Sequence, residues 1–134
     1  MNIIKPTYLT VSDDLLAIIR KLVVDIIKPT DKCINLSFQD TDYSYEKGGF
    51  HPVFINLEKT EDNWRLITFT DCHAINHEGE LRQEIDLNFK TGEVYLLGCG
   101  LLKNDAAQSL CELAITNFTT YFEMDVYIIT VDAN

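Results

Sequence analysis

The sequence predicts a two-layer α+β fold, in which two helices pack on one face of a largely antiparallel sheet of about six strands. An apolar helical stripe lies near each end of the chain, and most segments between the two stripes alternate between apolar and polar residues, as strands do. The connections between those segments are short, and short connections join antiparallel neighbours. The expected order of elements is α-β-β-β-β-β-α-β.

The length of 134 residues suits one domain, which we assign to residues 1–134. A chain of this length buries roughly two-thirds of the surface that it exposes when unfolded. Apolar residues make up 46% of the sequence. The chain can therefore form a sufficient hydrophobic core without disulfides or metals.

The first helix follows an extended N-terminal arm, which we expect over residues 1–10. Ser12 or Asp13 can cap the start of this helix, and Pro29 stops it, because proline cannot continue a helix. A helix over residues 12–27 is predicted by apolar residues at steps of three and four: Leu15, Ile18, Ile19, Leu22, Val23 and Ile26.

Five strands are predicted after this helix, and a polar loop at 72–79 separates the third strand from the fourth. Pro52 has no N–H to donate to a ladder, so we expect it to mark an edge or a bulge. The five strand segments are 32–39, 50–59, 64–71, 80–89 and 93–99.

A second helix over residues 105–122 and a last strand over residues 126–131 complete the pattern. Asn104 or Asp105 can cap the helix. A helical crossover of this length allows the last strand to run parallel to the strands that point its way.

The chain is strongly acidic, with a formal net charge of −10 and a pI of about 4.5. Such a surface repels phosphates, which argues against binding to nucleic acid or to anionic membranes. No apolar run approaches the ~18 residues of a membrane span, and no secretory segment is recognised, so we expect a cytoplasmic protein. Its four cysteines should be reduced, with three of them buried: Cys33, Cys99 and Cys111.

The loop at 40–52 contains the densest group of candidate functional residues. A well-bonded turn explains these residue types at least as well as a binding site, because aspartates accept backbone N–H bonds and Gly48 and Gly49 can supply positive φ. The candidates for binding are Asp40, Asp42, Tyr43, Tyr45, Phe50 and His51.

The run Asp42-Tyr43-Ser44, followed by Gly48-Gly49-Phe50-His51-Pro52, resembles the signature of a small, mainly gamma-proteobacterial family catalogued as a domain of unknown function. Further agreement extends over residues 34–131. The resemblance implies a small single-domain α+β protein and brings no activity, cofactor or catalytic residue. The family usually has an aromatic residue and small polar residues where this chain has Cys72-His73-Ala74, so chemistry at these positions would be specific to this protein.

The spacing of possible ligands does not favour a metal site. An EF-hand loop counted from Asp40 would need glycine at its sixth position, where this chain has Tyr45. We therefore predict no metal and no cofactor, with an irregular cation site at the 40–52 loop kept as an alternative. A zinc site would need a further ligand beside three candidates in the predicted loop: Cys72, His73 and His77.

Enzymatic interpretations remain open. His51 could act with a nearby carboxylate, or as the base for Cys72. Three acids could also lie close together on the open sheet face, and glycoside hydrolysis requires a pair of carboxyl groups. A solvated sheet face would give the same alternation of acidic and apolar residues in the sequence. These candidate polar neighbours are Asp71, Glu84 and Asp86.

We favour a binding or interaction module, either monomer or homodimer, that uses the 40–52 loop to contact a protein or a small molecule. Its aromatic anchors would be Tyr43, Tyr45 and Phe50. The alternative is a small hydrolase-like enzyme that uses His51 with Asp40, Asp42 or Asp71. A concave pocket with His51 and a carboxylate in hydrogen-bond reach would favour the enzyme, whereas exposed loop aromatics would favour the module.

Overall fold

The alternation of apolar residues in the central segments produces a sheet with one buried face. The computed structural model describes residues 1–134 and contains eight strands and two helices. The helices are Asp13–Val23 (α1) and Asn104–Glu123 (α2). The strands are Ile3–Ile4 (β1), Cys33–Gln39 (β2), Val53–Thr60 (β3), Asn63–Ala74 (β4), Leu81–Asn88 (β5), Val94–Leu96 (β6), Gly100–Leu102 (β7) and Ile128–Ala133 (β8).

The sheet has the strand order β7-β6-β5-β4-β3-β2-β8, and all neighbours in this order are antiparallel. Strand β1 lies off this path and pairs in parallel with β4. The α+β class and the largely antiparallel sheet are therefore confirmed. The count of about six strands was wrong, because the N-terminal arm contributes β1 and the predicted strand 93–99 gives way to the hairpin β6–β7.

The last strand is antiparallel to its neighbour, contrary to the parallel arrangement that the crossover allowed. Helix α2 returns the chain to the end of the sheet at which β2 finishes, since Ile128 pairs with Gln39. Strand β8 then runs back along β2 and forms an edge of the sheet. Pro52 does not mark an edge either, because it immediately precedes β3, which lies between β2 and β4.

Helix α1 begins as predicted and ends four residues early. The Ser12 hydroxyl accepts a hydrogen bond from the Leu15 N–H at 3.3 Å, which caps the first turn. The helix ends at Val23, and the Val23 carbonyl accepts bonds from the N–H groups of both Ile26 and Ile27. Ile26 is exposed, so the apolar pattern that extended the prediction to residue 27 does not reflect burial there.

Helix α2 agrees with the predicted span of 105–122 to within one residue at each end. Its cap differs from the prediction. Lys103 occupies the N-cap position and makes no side-chain capping bond, while Asn104 is the first helical residue and has a φ of 56°.

One hydrophobic core of 24 buried residues joins the sheet to both helices. The Phe38 and Phe118 rings meet edge to face at a centroid distance of 4.8 Å, and Phe69 contacts Phe118 in the same way at 5.5 Å. All three side chains are almost fully buried, and truncation of such a phenylalanine typically costs about 3–5 kcal/mol. This cluster fixes α2 over the central strands, and the space beside it forms the candidate site.

Candidate functional site

Asp40 organises the loop that leads into β3. Its Oδ1 atom accepts the N–H of Asp42 at 2.9 Å, and its Oδ2 atom accepts the N–H of Phe50 at 3.1 Å, so one carboxylate holds both ends of the loop. Gly49 lies against this carboxylate with a φ of 123°, and a Cβ placed there would be 3.0 Å from Oδ2 of Asp40. Asp40 therefore stabilises the turn, as expected from the ability of aspartate to accept backbone N–H bonds.

The loop tyrosines occupy different environments. The Tyr43 hydroxyl accepts a hydrogen bond from the N–H of Ala74 at 2.8 Å, and its ring packs edge to face with that of His51 at a centroid distance of 5.5 Å. Tyr45 is half exposed and lies against the ring of His77. Tyr43 thus ties the loop to β4 and supports His51, and Tyr45 is the aromatic residue of the loop that faces solvent.

A β-bulge directs Glu84 towards the site. Along the β4–β5 pair, Asp71 is paired with Ile85 and Cys72 with Gln83, so Glu84 has no partner on β4. An extra residue of this kind disrupts the strict alternation of side chains and re-aims one of them. The Glu84 carboxylate consequently lies beside His51 and close to the Asp71 carboxylate. The alternation of residues in the sequence had predicted that Glu84 would face solvent.

His51 lies between these two carboxylates. Its Nδ1 atom is 2.8 Å from Oδ1 of Asp71 and 2.9 Å from Oε2 of Glu84. The three side chains are 33%, 24% and 37% exposed, so solvent and small molecules can reach them. The hydrogen bond to Asp71, together with the negative charges of both carboxylates, raises the pKa of His51 above its ordinary value, and partial burial opposes this shift.

The three side chains line one side of a cavity of about 330 Å³ between the sheet and α2. The apolar wall includes Phe50, whose ring contacts that of Tyr121 at a centroid distance of 4.7 Å. The other lining residues are Gly49, Val53, Ile85, Leu113, Ala114, Asn117, Phe118 and Tyr127. The site therefore has a charged end and an apolar body, which is the common form of a small-molecule site.

Several candidates lie elsewhere. Asp42 is exposed and does not line the cavity. Asp86 accepts a hydrogen bond from the Thr70 hydroxyl at 2.6 Å, so only two of the three predicted acids come together. Of the cysteines expected to be buried, Cys33 and Cys99 are exposed.

The predicted loop at 72–79 begins instead as the end of β4, which places Cys72 and His73 in a strand. His77 pairs with Glu46 at the surface, so these three possible zinc ligands do not form a cluster. Burial raises the pKa of the Cys72 thiol to about 11, which keeps it protonated at neutral pH and argues against a nucleophilic role.

The sequence did not identify the contribution of α2 to the cavity. Leu113, Asn117 and Tyr121 line it from the helix, and Tyr127 lines it from the segment that follows. The apolar stripe of α2 indicated the inward face of the helix. It gave no sign of which strand residues that face would oppose.

Neither helix is long and apolar enough to cross a membrane.

A hypothetical protein from the VSP-II pathogenicity island of Vibrio cholerae has a similar structure, with a TM-score of 0.89 and 27% identity over 100% of both chains. A conserved hypothetical protein from pathogenicity island VPI-2 of Vibrio cholerae O1 biovar eltor gives a TM-score of 0.84 and 28% identity, over 96% of this chain and 98% of the other. That second protein shares structural homology with the human P32 protein. No curated protein matches the sequence.

Residues 13–132 match the family DUF2787, described as "protein of unknown function". The match covers nearly the whole fold, from the start of α1 into β8. The resemblance to a family of unknown function is thereby confirmed, and the chain belongs to the DUF2787 family.

Proposed function

We propose that the protein binds a small molecule in the cavity between the sheet and α2. The observation that carries this proposal is the placement of His51, Asp71 and Glu84 at one end of an otherwise largely apolar cavity. A volume of about 330 Å³ suits a ligand of modest size, at the lower end of the usual range for such sites. The apolar wall would hold the body of the ligand, and the charged end would orient it.

The charge of the site favours a ligand with a cationic or hydrogen-bond-donating group. Two ionised carboxylates outweigh one imidazole, whether or not His51 is protonated. The net charge of −10 on the whole chain adds to this preference. We therefore propose a small apolar amine as the ligand class, with its ammonium group near Asp71 and Glu84.

This proposal keeps the 40–52 loop as a binding element and changes the way in which it acts. Phe50 and His51 face the cavity, whereas Tyr43 bonds to β4 and Tyr45 points to solvent. The loop would thus contribute a wall and a polar group to a concave site. A protein-binding surface built on three exposed aromatic anchors receives less support, because Tyr45 alone of the three is exposed.

A matched series of three probes tests the proposal: benzylamine, benzyl alcohol and benzoate, which differ mainly in the charge of one group. We expect backbone amide shifts around the cavity in NMR titrations with EDTA present, with benzylamine bound most tightly and benzoate most weakly. Asp71→Asn and Glu84→Gln should each reduce the preference for the amine. Glu46→Gln is the matched control, because it removes an acid outside the cavity. Tightest binding by benzoate, or an amine preference that survives both site variants, would overturn the proposal.

A hydrolase-like activity is the second candidate, and the His51–Asp71 contact favours it. A carboxylate that accepts the Nδ1–H bond fixes the tautomer of an imidazole and leaves Nε2 free to take a proton from water. Hydrolysis of p-nitrophenyl esters should then depend on His51. The rate should rise with pH as His51 loses its proton, and His51→Gln should abolish this pH dependence. If the wild type and His51→Gln hydrolyse these esters at equal rates across the pH range, this candidate is excluded for such esters.

A further inference from the structure

We infer that His51, Asp71 and Glu84 form a binding site for a divalent metal ion of the zinc class. Each side chain offers one ligand atom, and the three atoms lie within 4.8 Å of one another. No other group of three histidine, cysteine or acidic side chains in the protein lies this close together. This inference revises the sequence-based expectation that no metal is bound.

The contacts of Nδ1 provide the first argument. This nitrogen carries at most one hydrogen, yet two carboxylate oxygens lie within 2.9 Å of it. One proton cannot make two full hydrogen bonds from the same atom. Ligands of one zinc ion, with bonds of ~2.0–2.2 Å, lie about 3.0–3.5 Å apart. Side-chain rotations that widen the two contacts of Nδ1 and bring the carboxylate oxygens, which lie within 4.8 Å of one another, to this spacing would admit the ion.

The charge and chemistry of the ligands provide the second argument. A neutral imidazole and two carboxylates carry two negative charges, which balance those of a divalent cation. Imidazole nitrogen combined with carboxylate oxygen suits zinc and its neighbours, whereas calcium and magnesium prefer oxygen alone. Three protein ligands would leave a position open towards the cavity, where water or the polar group of a ligand could bind.

The support of the ligands provides the third argument. Asp71 and Glu84 project from paired strands, and the bulge that re-aims Glu84 belongs to the ladder between them. The Tyr43 ring packs against His51, and Tyr43 is itself held by its bond to Ala74. Two of the ligands are therefore fixed by the sheet, and His51 is held by Tyr43. The exposed pair of His77 and Glu46, in contrast, has no third partner.

Metal binding at this site goes beyond the proposed binding of an amine, because the ion needs no organic ligand. A metal would use the Nδ1 lone pair that otherwise holds the proton shared with Asp71. The metal-bound protein and a general-base form of His51 would therefore exclude each other. Amine titrations with EDTA and metal titrations without amine separate the two proposals, and either can fail alone.

Calorimetric titration with Zn²⁺ and visible spectroscopy with Co²⁺ test the inference. Both should use a Cys33→Ser/Cys99→Ser background, which removes the exposed thiols that would bind zinc independently. We expect one equivalent of metal per chain, with His51→Asn, Asp71→Asn and Glu84→Gln each weakening binding at least tenfold. Far-UV circular dichroism would verify that each variant is folded.

His77→Asn is the matched control, since it removes a histidine that also pairs with a carboxylate. It should leave the affinity within twofold of the parent. Added Zn²⁺ should also raise the melting temperature of the parent and of this control, and raise that of Asp71→Asn by less. Absence of saturable binding at 100 μM metal, or equal loss of binding in His77→Asn, would overturn the inference.

Discussion

The Nδ1 atom of His51 lies 2.8 Å from Oδ1 of Asp71, although the two residues are 20 positions apart in sequence. Pairing of Val53 with Asp71 in the β3–β4 ladder brings the two side chains together, because His51 lies just before β3. The contact thus follows from strand register and from the turn that precedes β3. It also makes the stability of the protein depend on the protonation of one histidine.

The first prediction concerns pH. The pKa of His51 is raised above its ordinary value of 6.5, chiefly by the hydrogen bond to Asp71, so folding favours the protonated imidazole. This contribution is complete below pH 6.5 and is lost as the pH rises through the higher folded-state pKa. The free energy of unfolding of the wild type, relative to that of His51→Asn, should therefore be larger at pH 6 than at pH 9 in urea titrations with EDTA.

The same comparison in an Asp71→Asn background provides the control. Asp71→Asn removes the main cause of the raised pKa, so in this background the effect of His51→Asn on the free energy of unfolding should depend less on pH. A wild-type advantage that grows as the pH rises would contradict the prediction.

The second prediction concerns the hydroxyl group of Tyr43. Tyr43→Phe would leave the N–H of Ala74 without its acceptor in a buried position, because Ala74 is only 8% exposed. A buried donor without a partner costs about 1–3 kcal/mol, and we expect a loss of ~1–2 kcal/mol in the free energy of unfolding. Tyr45→Phe is the matched control in urea denaturation and should change stability by less than ~0.5 kcal/mol, because that residue is half exposed. Equal losses in the two variants would show that the hydroxyl bond contributes little.

The third prediction compares two adjacent glycines. Alanine at position 49 would meet Oδ2 of Asp40 at 3.0 Å and the Cα of Tyr43 at 3.2 Å, with a φ of 123° that residues with side chains rarely adopt. At Gly48, φ is 71° and no atom lies within 4 Å of the added Cβ. We expect Gly49→Ala to cost on the order of 3 kcal/mol and Gly48→Ala about 1 kcal/mol.

Denaturation of both variants measures these costs, and the two-dimensional NMR signals of the His51 ring report the consequence for the site. Gly49→Ala should displace the Asp40 carboxylate from the N–H of Phe50 and so shift the ring signals of His51. If Gly48→Ala costs as much as Gly49→Ala, the close approach to Asp40 is not the reason for glycine at position 49.

The elements of the fold were largely predictable because they depend on local patterns. The Ser12 cap and the inward stripe of α1 follow from spacing alone, and so does the alternation in β2. The end of β4 was not predictable in this way. The polar run at 76–79 suggested a loop that began at residue 72, but residues 72–74 form a strand because they pair with residues 81–83 of β5.

The members of the site were proposed from the sequence, but their convergence could not be derived from it. Alternation put Glu84 and Asp86 on the same solvent face, and the bulge at Glu84 separates them. A bulge depends on how two strands pair, and no residue type at this position predicts it. The cavity likewise depends on the angle at which α2 crosses the sheet, which the stripe of α2 does not specify.

The fourth prediction concerns the reactivity of the four cysteines. Cys33 and Cys99 are exposed, whereas Cys72 and Cys111 are buried. Burial raises the pKa of Cys72 to about 11 and that of Cys111 to about 12, so at pH 8 roughly one thiol in a thousand or fewer is ionised at either position. Because the thiolate is the reacting form, an aromatic disulfide reagent should modify two thiols quickly and the other two at least about 100-fold more slowly.

Absorbance at saturating reagent measures both phases, and the Cys33→Ser/Cys99→Ser protein should lack the fast phase. All four thiols should react quickly in guanidinium chloride, which verifies that none is already oxidised. A third fast thiol in the native protein that is lost in Cys72→Ser would mean that Cys72 is accessible and ionised. That outcome would restore Cys72 as a candidate nucleophile and favour the enzymatic interpretation over the binding role.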